Sequence, residues 1–339
     1  MKELTLPQKI ILRDTTVREG FQREERLIPT SAKLWVVEQL VQAGFKRLEV
    51  TNFANPKRLP QFADAEELLR LIRTHRSIAH LIASVELTAI TINQRAVNRA
   101  LAARQKGHGP DRILMLVSVS EAYQQANSGM SIDEYWKMAA ACVQLARDND
   151  IKVCGAINSI WGCPKAGPMD MKKAVAFAER WLQIGAHDIE HADHDGSATP
   201  DKVYDYFSRV LDAIPDPGKQ VAHFHSTRGW GSANVLAALQ AGIIHYEGTM
   251  GGLGGQPANF VDGVPVAGTG DYYHKDPGIS GLVSTEDLVV MLDEMGMKTG
   301  LDVDAVLKIG AMVERIVGRR LRSECVHTGR IPKALKMPA

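Results

Sequence analysis

The sequence predicts an α/β fold, a closed (β/α)₈ TIM barrel with extra C-terminal helices. Eight short runs rich in β-branched residues alternate with longer amphipathic stretches along the chain. This alternation favours parallel strands with helices outside them. The segment 14–22 after the first run has one glycine, whereas a doubly wound sheet often has a G-x-G-x-x-G turn there. The 339 residues are enough for a barrel of ~250 residues with additions.

The eight strands and the helices between them can be placed from these patterns. The strands are predicted at 9–13, 47–51, 78–85, 112–118, 152–157, 188–191, 220–225 and 243–246. The helices are predicted at 31–43, 63–74, 93–104, 132–149, 171–184, 200–213, 231–241 and 285–295. Glycine follows several of these helices, as at Gly44, Gly185 and Gly242, and glycine there is typical of a helix end.

No linker or repeat divides the chain, so we predict a catalytic barrel domain over residues 1–300. Residues 301–339 are predicted to form a helical extension packed on the barrel. The long irregular stretch 251–281 follows the eighth strand. It therefore lies on the face where the active sites of such barrels are built.

Charge and composition exclude several classes of protein. The chain has 40 Lys+Arg against 39 Asp+Glu, a net charge of +1, which gives no attraction to nucleic acid or to anionic membranes. No apolar run approaches the ~20 residues of a membrane span, and the N-terminus lacks a signal-peptide pattern. The four cysteines show no C-x-x-C spacing, so no zinc knuckle or disulfide framework is indicated. We predict a cytoplasmic protein with a small-molecule substrate.

His223 and His225 form the sharpest local signal. Residues two apart in a strand point to the same side, so both imidazoles should enter the barrel mouth. Two neutral imidazoles and a carboxylate make a site for a divalent ion with open positions for a substrate. The alternative is a pair of hydrogen-bonded histidines that line a pocket.

Other polar residues follow the first and sixth strands. Glu19 can complete a metal site and Arg18 can hold a developing oxyanion, although adjacent opposite charges are usually a solvated loop. His191, His194, Asp193 and Asp195 could form a second metal site, and for His194 and Asp195 loop hydrogen bonding and helix capping are favoured. The glycines at 251–255 could cradle a phosphate or act as a hinge.

Six motifs occur in order along the chain. They are V-R-E-G-F-Q at 17–22, L-E-V-T-N-F at 48–53, W-G-C-P at 161–164, H-F-H-S-T at 223–227, G-L-G-G at 252–255 and S-T-E-D-L at 284–288. Together they resemble the DRE-TIM metallolyases, and most closely the 3-hydroxy-3-methylglutaryl-CoA lyase branch. The resemblance implies a homodimer that uses Mg²⁺ or Mn²⁺.

The resemblance also implies roles for individual residues. It assigns the metal to Glu19, His223 and His225. Arg18 corresponds to the family arginine that stabilises an enolate or polarises a carbonyl. Glu49 and Asp193 match acidic active-site positions. The substrate-binding residues that we predict are Gln22, Asn52 and Thr249.

Two positions depart from the lyase pattern. Gln256 stands where lyases have a cysteine implicated in proton transfer, and Leu282 stands where they have a metal-ligating asparagine. In addition, Glu19 gives the Arg-Glu-Gly sequence of the related homocitrate synthases, whereas the lyases usually have aspartate.

The leading hypothesis is a metal-dependent carbon–carbon lyase that cleaves a hydroxyacyl-CoA or a hydroxy acid. The first alternative uses the same site in reverse, to condense acetyl-CoA with a 2-oxo acid. The second is a barrel that binds metal without catalysis. Since a nucleotide fingerprint is missing, no redox cofactor is predicted.

Overall fold

The computed structural model describes residues 6–255 and 279–331, and the backbone of two short strands between them. The eight barrel strands are β1 Ile11–Asp14, β2 Arg47–Asn52, β3 Glu86–Ile90, β4 Arg112–Ser118, β5 Lys152–Asn158, β6 Asp188–Asp193, β7 Gln220–Phe224 and β8 His245–Gly248. They pair in sequence order, all in parallel, and β8 pairs with β1 to close the ring. The predicted (β/α)₈ barrel is confirmed. Strands β9 Asn259–Val261 and β10 Val264–Val266 form a separate antiparallel pair.

Helices surround the barrel and follow its last strand. They are α1 Thr30–Gln42, α2 Ala65–Thr74, α3 Ala79–Ile82, α4 Gln94–Gln105, α5 Glu121–Ser128, α6 Ile132–Arg147, α7 Met171–Gln183, α8 Pro200–Ala213, α9 Gly231–Ala241, α10 Thr285–Glu294, α11 Val303–Val317 and α12 Glu324–Thr328. Helices α11 and α12 confirm the extra C-terminal helices. The division at residue 300 stays a prediction; across it, Asp302 donates its N–H to the Ala43 carbonyl at 3.0 Å. None of the helices in the described ranges is long and apolar enough to cross a membrane.

One predicted strand is wrong. The stretch 78–85 contains the short helix α3, and the third strand follows it at Glu86–Ile90. Ile78 and Ile82 are both buried, and their spacing of four residues is the period of a helix that presents one face to the core. The β-branched residues of this stretch favour a strand, but the four-residue spacing of its buried isoleucines indicates a helix. The spacing is the signal that the structure follows.

Close packing between β5 and α7 depends on Gly155. A Cβ placed on Gly155 would lie 2.2 Å from the Trp181 ring, which is fully buried. The Trp181 ring also packs edge-on against Trp136, with 4.8 Å between centroids. The indole therefore occupies the space that any side chain at position 155 would need.

We expect Gly155→Ala to lower the free energy of unfolding by about 1–3 kcal/mol, because a rigid core must shift to admit the methyl group. Denaturant unfolding followed by tryptophan fluorescence measures this loss. Gly162→Ala is the matched control, since its nearest neighbours would be 3.9 Å away, and its stability should stay close to that of the wild type. Equal stability of the two variants would contradict this account of the packing.

The interior of the barrel is charged and not only apolar. Arg112 lies 2.5 Å from Asp188 and 2.7 Å from Glu86. Nearer the mouth, Arg13 lies 2.6 Å from Glu247. Buried charges need partners, and these pairs supply them across different strands. The ion pairs form the floor beneath the C-terminal mouth of the barrel.

Candidate active site

The turn after β1 places Arg18 and Glu19 inside the mouth. Residues Thr16–Gly20 form one turn of π-helix and are all buried. The Arg18 guanidinium contacts the carboxylates of Glu19 and Glu49. Burial acts to lower the pKa of Arg18, but the fields of these two carboxylates outweigh it and raise the pKa. Arg18 is therefore a fixed positive charge at the mouth.

Glu19 is held by two further groups. Gln22 donates from Nε2 to Glu19 Oε1 and to the Gly255 carbonyl, both at 2.9 Å. Burial acts to raise the pKa of Glu19, but Arg18 and the histidines at positions 225 and 223 outweigh it and lower the pKa. Glu19 is thus an ionised carboxylate, tied to the glycine loop after β8.

His223 and His225 enter the mouth together, with 5.3 Å between ring centroids. The Nδ1 atom of His223 lies 2.7 Å from Glu247 Oε2, and that of His225 lies 2.6 Å from the Ser280 carbonyl oxygen. Both of these oxygens can only accept a hydrogen bond, so each Nδ1 is the donor. Burial, followed by the field of His223, lowers the pKa of His225 to about 4, so this ring is neutral.

These donors fit a divalent ion. The Nε2 atom of His225 lies 3.9 Å from Glu19 Oε1, close enough for both to approach one cation. Metal-binding histidines usually donate their other ring N–H to a carboxylate or a carbonyl, and both rings do so here. Glu19, His223 and His225 therefore have the chemistry of a two-histidine, one-carboxylate site.

A second set of ligand atoms shares His223. One atom each of Glu190, His223 and Glu247 lies within 4.8 Å of the others. Arg13 already lies 2.6 Å from Glu247 and 3.7 Å from Glu190, so a divalent ion there would face a guanidinium. Glu19 also contacts a guanidinium, that of Arg18. The set that includes Glu19 is favoured instead because it brings two imidazoles, those of His223 and His225.

In both Asp193 and Glu49, one carboxylate oxygen is bonded to neighbouring groups, while the other has no hydrogen-bond partner among the described residues. Asp193 Oδ1 accepts the N–H groups of Ser197 and Ala198 at 2.9 and 3.1 Å. Within the described residues, Asp193 Oδ2 and Glu49 Oε2 are buried without a hydrogen-bond partner. Burial, and then the charge of Asp195, raises the pKa of Asp193 to about 8. Burial likewise raises the pKa of Glu49.

The remaining predicted site residues hold the loops of the mouth. Asn52 Oδ1 accepts the Ala54 N–H at 2.8 Å, and the Thr249 hydroxyl donates to the Leu253 carbonyl at 2.6 Å. Leu282 is buried, and its backbone forms an isolated β-bridge with that of His225. An apolar side chain therefore stands at this position, where the sequence departs from the lyase pattern. Gln256 lies outside the described residues.

The cluster after β6 does not converge on one point. His191 bonds to the Tyr206 hydroxyl at 2.8 Å and to Gln220 Oε1 at 2.9 Å, so both its nitrogens are used in the core. Asp195 Oδ1 accepts the Ser197 N–H at 3.0 Å, the loop hydrogen bond that the sequence favours. His194 packs edge-on against Tyr123.

Sequence reasoning did not assign functional roles to three buried charged residues beneath the histidines. They are Arg13, Glu190 and Glu247. A signal existed in the strands themselves. Polar residues alternate along β6 (188, 190) and β8 (245, 247), and residues at every second position of a barrel strand face the interior.

Glu286 links α10 to the glycine loop. Its carboxylate is fully buried and accepts the Gly251 N–H at 2.8 and 2.9 Å and the Ser284 hydroxyl at 2.8 Å. Burial raises the pKa of Glu286 to about 8. The folded protein therefore binds a proton at this site over a pH range in which the unfolded chain has released it.

We expect Glu286→Gln to weaken the pH dependence of stability. Because the folded pKa of Glu286 is raised, wild-type stability should fall as pH rises from about 4.5 to about 8, by at most about 1.4 kcal/mol per pH unit from this group. The neutral amide removes that contribution, while Asp193 keeps its own. Denaturant unfolding at pH 5.5, 7 and 8.5 tests the difference. Identical slopes in both proteins would contradict the role of Glu286.

Comparison with known proteins points to one family. A family model described as HMGL-like matches residues 9–313. The cytoplasmic 3-hydroxy-3-methylglutaryl-CoA lyase of Mus musculus is 31% identical over 319 residues, covering 94% of this chain and 84% of that protein. The mitochondrial hydroxymethylglutaryl-CoA lyase of Mus musculus is 30% identical, with coverages of 94% and 89%. The structure of an HMG-CoA lyase from Acinetobacter baumannii, in complex with coenzyme A and 3-methylmalate, superposes with a TM-score of 0.83 at 27% identity and covers 98% of each chain.

Proposed function

Because the chain belongs to the HMGL-like family, we propose that it is a divalent-metal-dependent carbon–carbon lyase. Its substrate is a hydroxyacyl-CoA or a hydroxy acid. The observation that supports this most is the approach of Glu19 Oε1 to His225 Nε2, 3.9 Å apart at the barrel mouth. The ring of His223 lies beside that of His225, with 5.3 Å between centroids. The similarity to HMG-CoA lyases supports the same class of reaction.

We propose that Glu19, His223 and His225 hold the metal. When bound there, Mg²⁺ or Mn²⁺ would lower the pKa of a substrate hydroxyl and polarise a carbonyl. The neutral state of His225, whose pKa is about 4, keeps its Nε2 available as a ligand across the physiological range.

The open oxygen of Asp193 is suited to act as the base. Asp193 Oδ2 accepts the proton of the substrate hydroxyl, and the C–O bond becomes a carbonyl as the adjacent C–C bond breaks. The electron pair of that bond passes to an enolate, whose oxygen is stabilised by Arg18. Glu49 fixes the guanidinium through its contact with Arg18. A proton from water then adds to the enolate carbon, and Asp193 releases the proton that it took from the hydroxyl, which completes the reaction.

The proposal also includes the substrate-binding residues, the oligomeric state and the cellular location. Gln22, Asn52 and Thr249 border the mouth and are proposed to contact the substrate through the groups that their loop hydrogen bonds leave open. We retain the predicted homodimer and the cytoplasmic location. Of the two mouse relatives, one is described as cytoplasmic and one as mitochondrial.

Turnover assays with the metal-stripped protein test the proposal. The protein is assayed with and without Mn²⁺ on hydroxymethylglutaryl-CoA, shorter branched hydroxyacyl-CoAs and the free hydroxy acids, with detection of the carbonyl product. We expect cleavage only with metal, and none in Glu19→Gln. Consumption of acetyl-CoA with a 2-oxo acid, without cleavage, would assign the condensing reaction instead. Metal binding without any turnover would assign a non-catalytic barrel.

A further inference from the structure

The two histidines at the mouth have different partners at Nδ1. His225 faces a neutral backbone carbonyl, whereas His223 faces the carboxylate of Glu247 at 2.7 Å. The other oxygen of Glu247 lies 2.6 Å from Arg13. His223, Glu247 and Arg13 are each no more than 4% exposed. They form a buried chain, imidazole to carboxylate to guanidinium, that leads from the mouth to the barrel floor.

We propose that Glu247 is a positioning residue for the metal centre, which fixes the ring of His223 through Nδ1 and leaves Nε2 for the metal. This rests on the proposed function, in which His223 is a metal ligand. A carboxylate partner orients the ring and also makes Nε2 a stronger donor than a carbonyl partner would. Arg13 neutralises Glu247 from below, so the carboxylate stays in place without a metal of its own.

Glu190 provides the matched comparison. Its Oε1 lies 3.8 Å from the same Nδ1 of His223, too far for a hydrogen bond, while Glu247 lies within bonding distance. Both carboxylates are buried in the barrel interior, Glu190 on β6 and Glu247 on β8, and both lie near Arg13. Of the two glutamates, only Glu247 therefore makes the contact with His223 that the proposal depends on.

The experiment measures Mn²⁺ affinity in the absence of substrate. Free Mn²⁺ is titrated by electron paramagnetic resonance with wild type, Glu247→Gln, Glu190→Gln and Glu19→Gln. We expect Glu247→Gln to weaken binding about 10–100-fold, the usual effect of losing such an outer partner. Glu190→Gln should remain close to wild type, and Glu19→Gln should lose binding as a direct ligand would.

Stability needs a separate control, because Glu247→Gln leaves Arg13 buried without its counter-charge. The double variant Arg13→Met with Glu247→Gln removes both charges. We expect it to show the same loss of Mn²⁺ affinity, since the loss comes from the contact with His223. Recovery of wild-type affinity in the double variant would overturn the proposal.

The outcomes separate this inference from the proposed function. Wild-type affinity in Glu247→Gln, together with loss of binding in Glu19→Gln, would overturn the role of Glu247 and leave the metal site standing. Equal losses in Glu190→Gln and Glu247→Gln, with no effect of Glu19→Gln, would place the ion between the two glutamates and overturn both. Wild-type protein that binds no Mn²⁺ would also overturn both.

Discussion

His225→Ala is expected to lose both bound metal and turnover. The variant removes one of the three proposed ligands, and the remaining pair, Glu19 and His223, would be too few to hold the ion. A catalytic metal supplies several kcal/mol of transition-state stabilisation, and 1.36 kcal/mol is a factor of ten. We therefore expect kcat to fall by about 10³-fold or more. Metal content after dialysis against Mn²⁺, measured by atomic absorption, and steady-state kinetics are the two measurements.

His191→Asn provides the control for this experiment. His191 is a buried histidine on the neighbouring strand, but its two nitrogens bond to Tyr206 and Gln220 in the core. We expect this variant to be less stable and to keep its metal. Full metal content in His225→Ala would refute the ligand assignment, whatever the effect on turnover.

Asp193→Asn is expected to lower kcat by about 10²–10⁴-fold, the range for loss of a general acid or base. An amide keeps the shape of the side chain but cannot accept the hydroxyl proton at Oδ2. The wild-type rate should also rise with pH as the base ionises. Since the pKa of Asp193 is raised to about 8, the rising limb should be centred near pH 8 in the free enzyme. Profiles of kcat/KM between pH 6 and 9.5 measure this limb, which Asp193→Asn should abolish.

Asp195→Asn tests the electrostatic origin of that limb. Burial is the larger cause of the raised pKa of Asp193, and the charge of Asp195 is the second. Removal of this charge is expected to lower the pKa of Asp193 and to move the limb toward lower pH, with activity retained. A limb that stays in place, or moves to higher pH, would show that another group is the base.

Local patterns were sufficient for most of the barrel and part of the site. The alternation of strands and helices predicts the fold, because each βα unit has its own apolar periodicity. His223 and His225 stand two residues apart at the end of β7, so the period of two places both rings in the mouth without knowledge of the other strands. Arg18 and Glu19 were found because the end of the first strand is a known place for chemistry in this fold.

Local sequence patterns cannot predict which residues on different barrel strands contact each other. The contact between Glu247 and His223 depends on the register of β8 against β7, which no short motif encodes. The same holds for Arg13, whose partners lie on two other strands. Glu286 reaches a loop more than thirty residues earlier, and its burial depends on the packing of α11. The stretch before the third strand differs in kind, because the helical spacing of its apolar residues decides its structure and its β-branched composition does not.

The pairing of β1 with β8 has a consequence for biosynthesis. Ile11 lies beside His245, so the first strand to leave the ribosome must wait for the last one before the ring is complete. Arg18 and Glu19 are made early, while the histidines and the loop that holds Glu19 are made late. A nascent chain that has released only the first half of the barrel therefore holds Arg18 and Glu19 without the proposed histidine ligands. Contacts between such distant parts of a chain also slow folding.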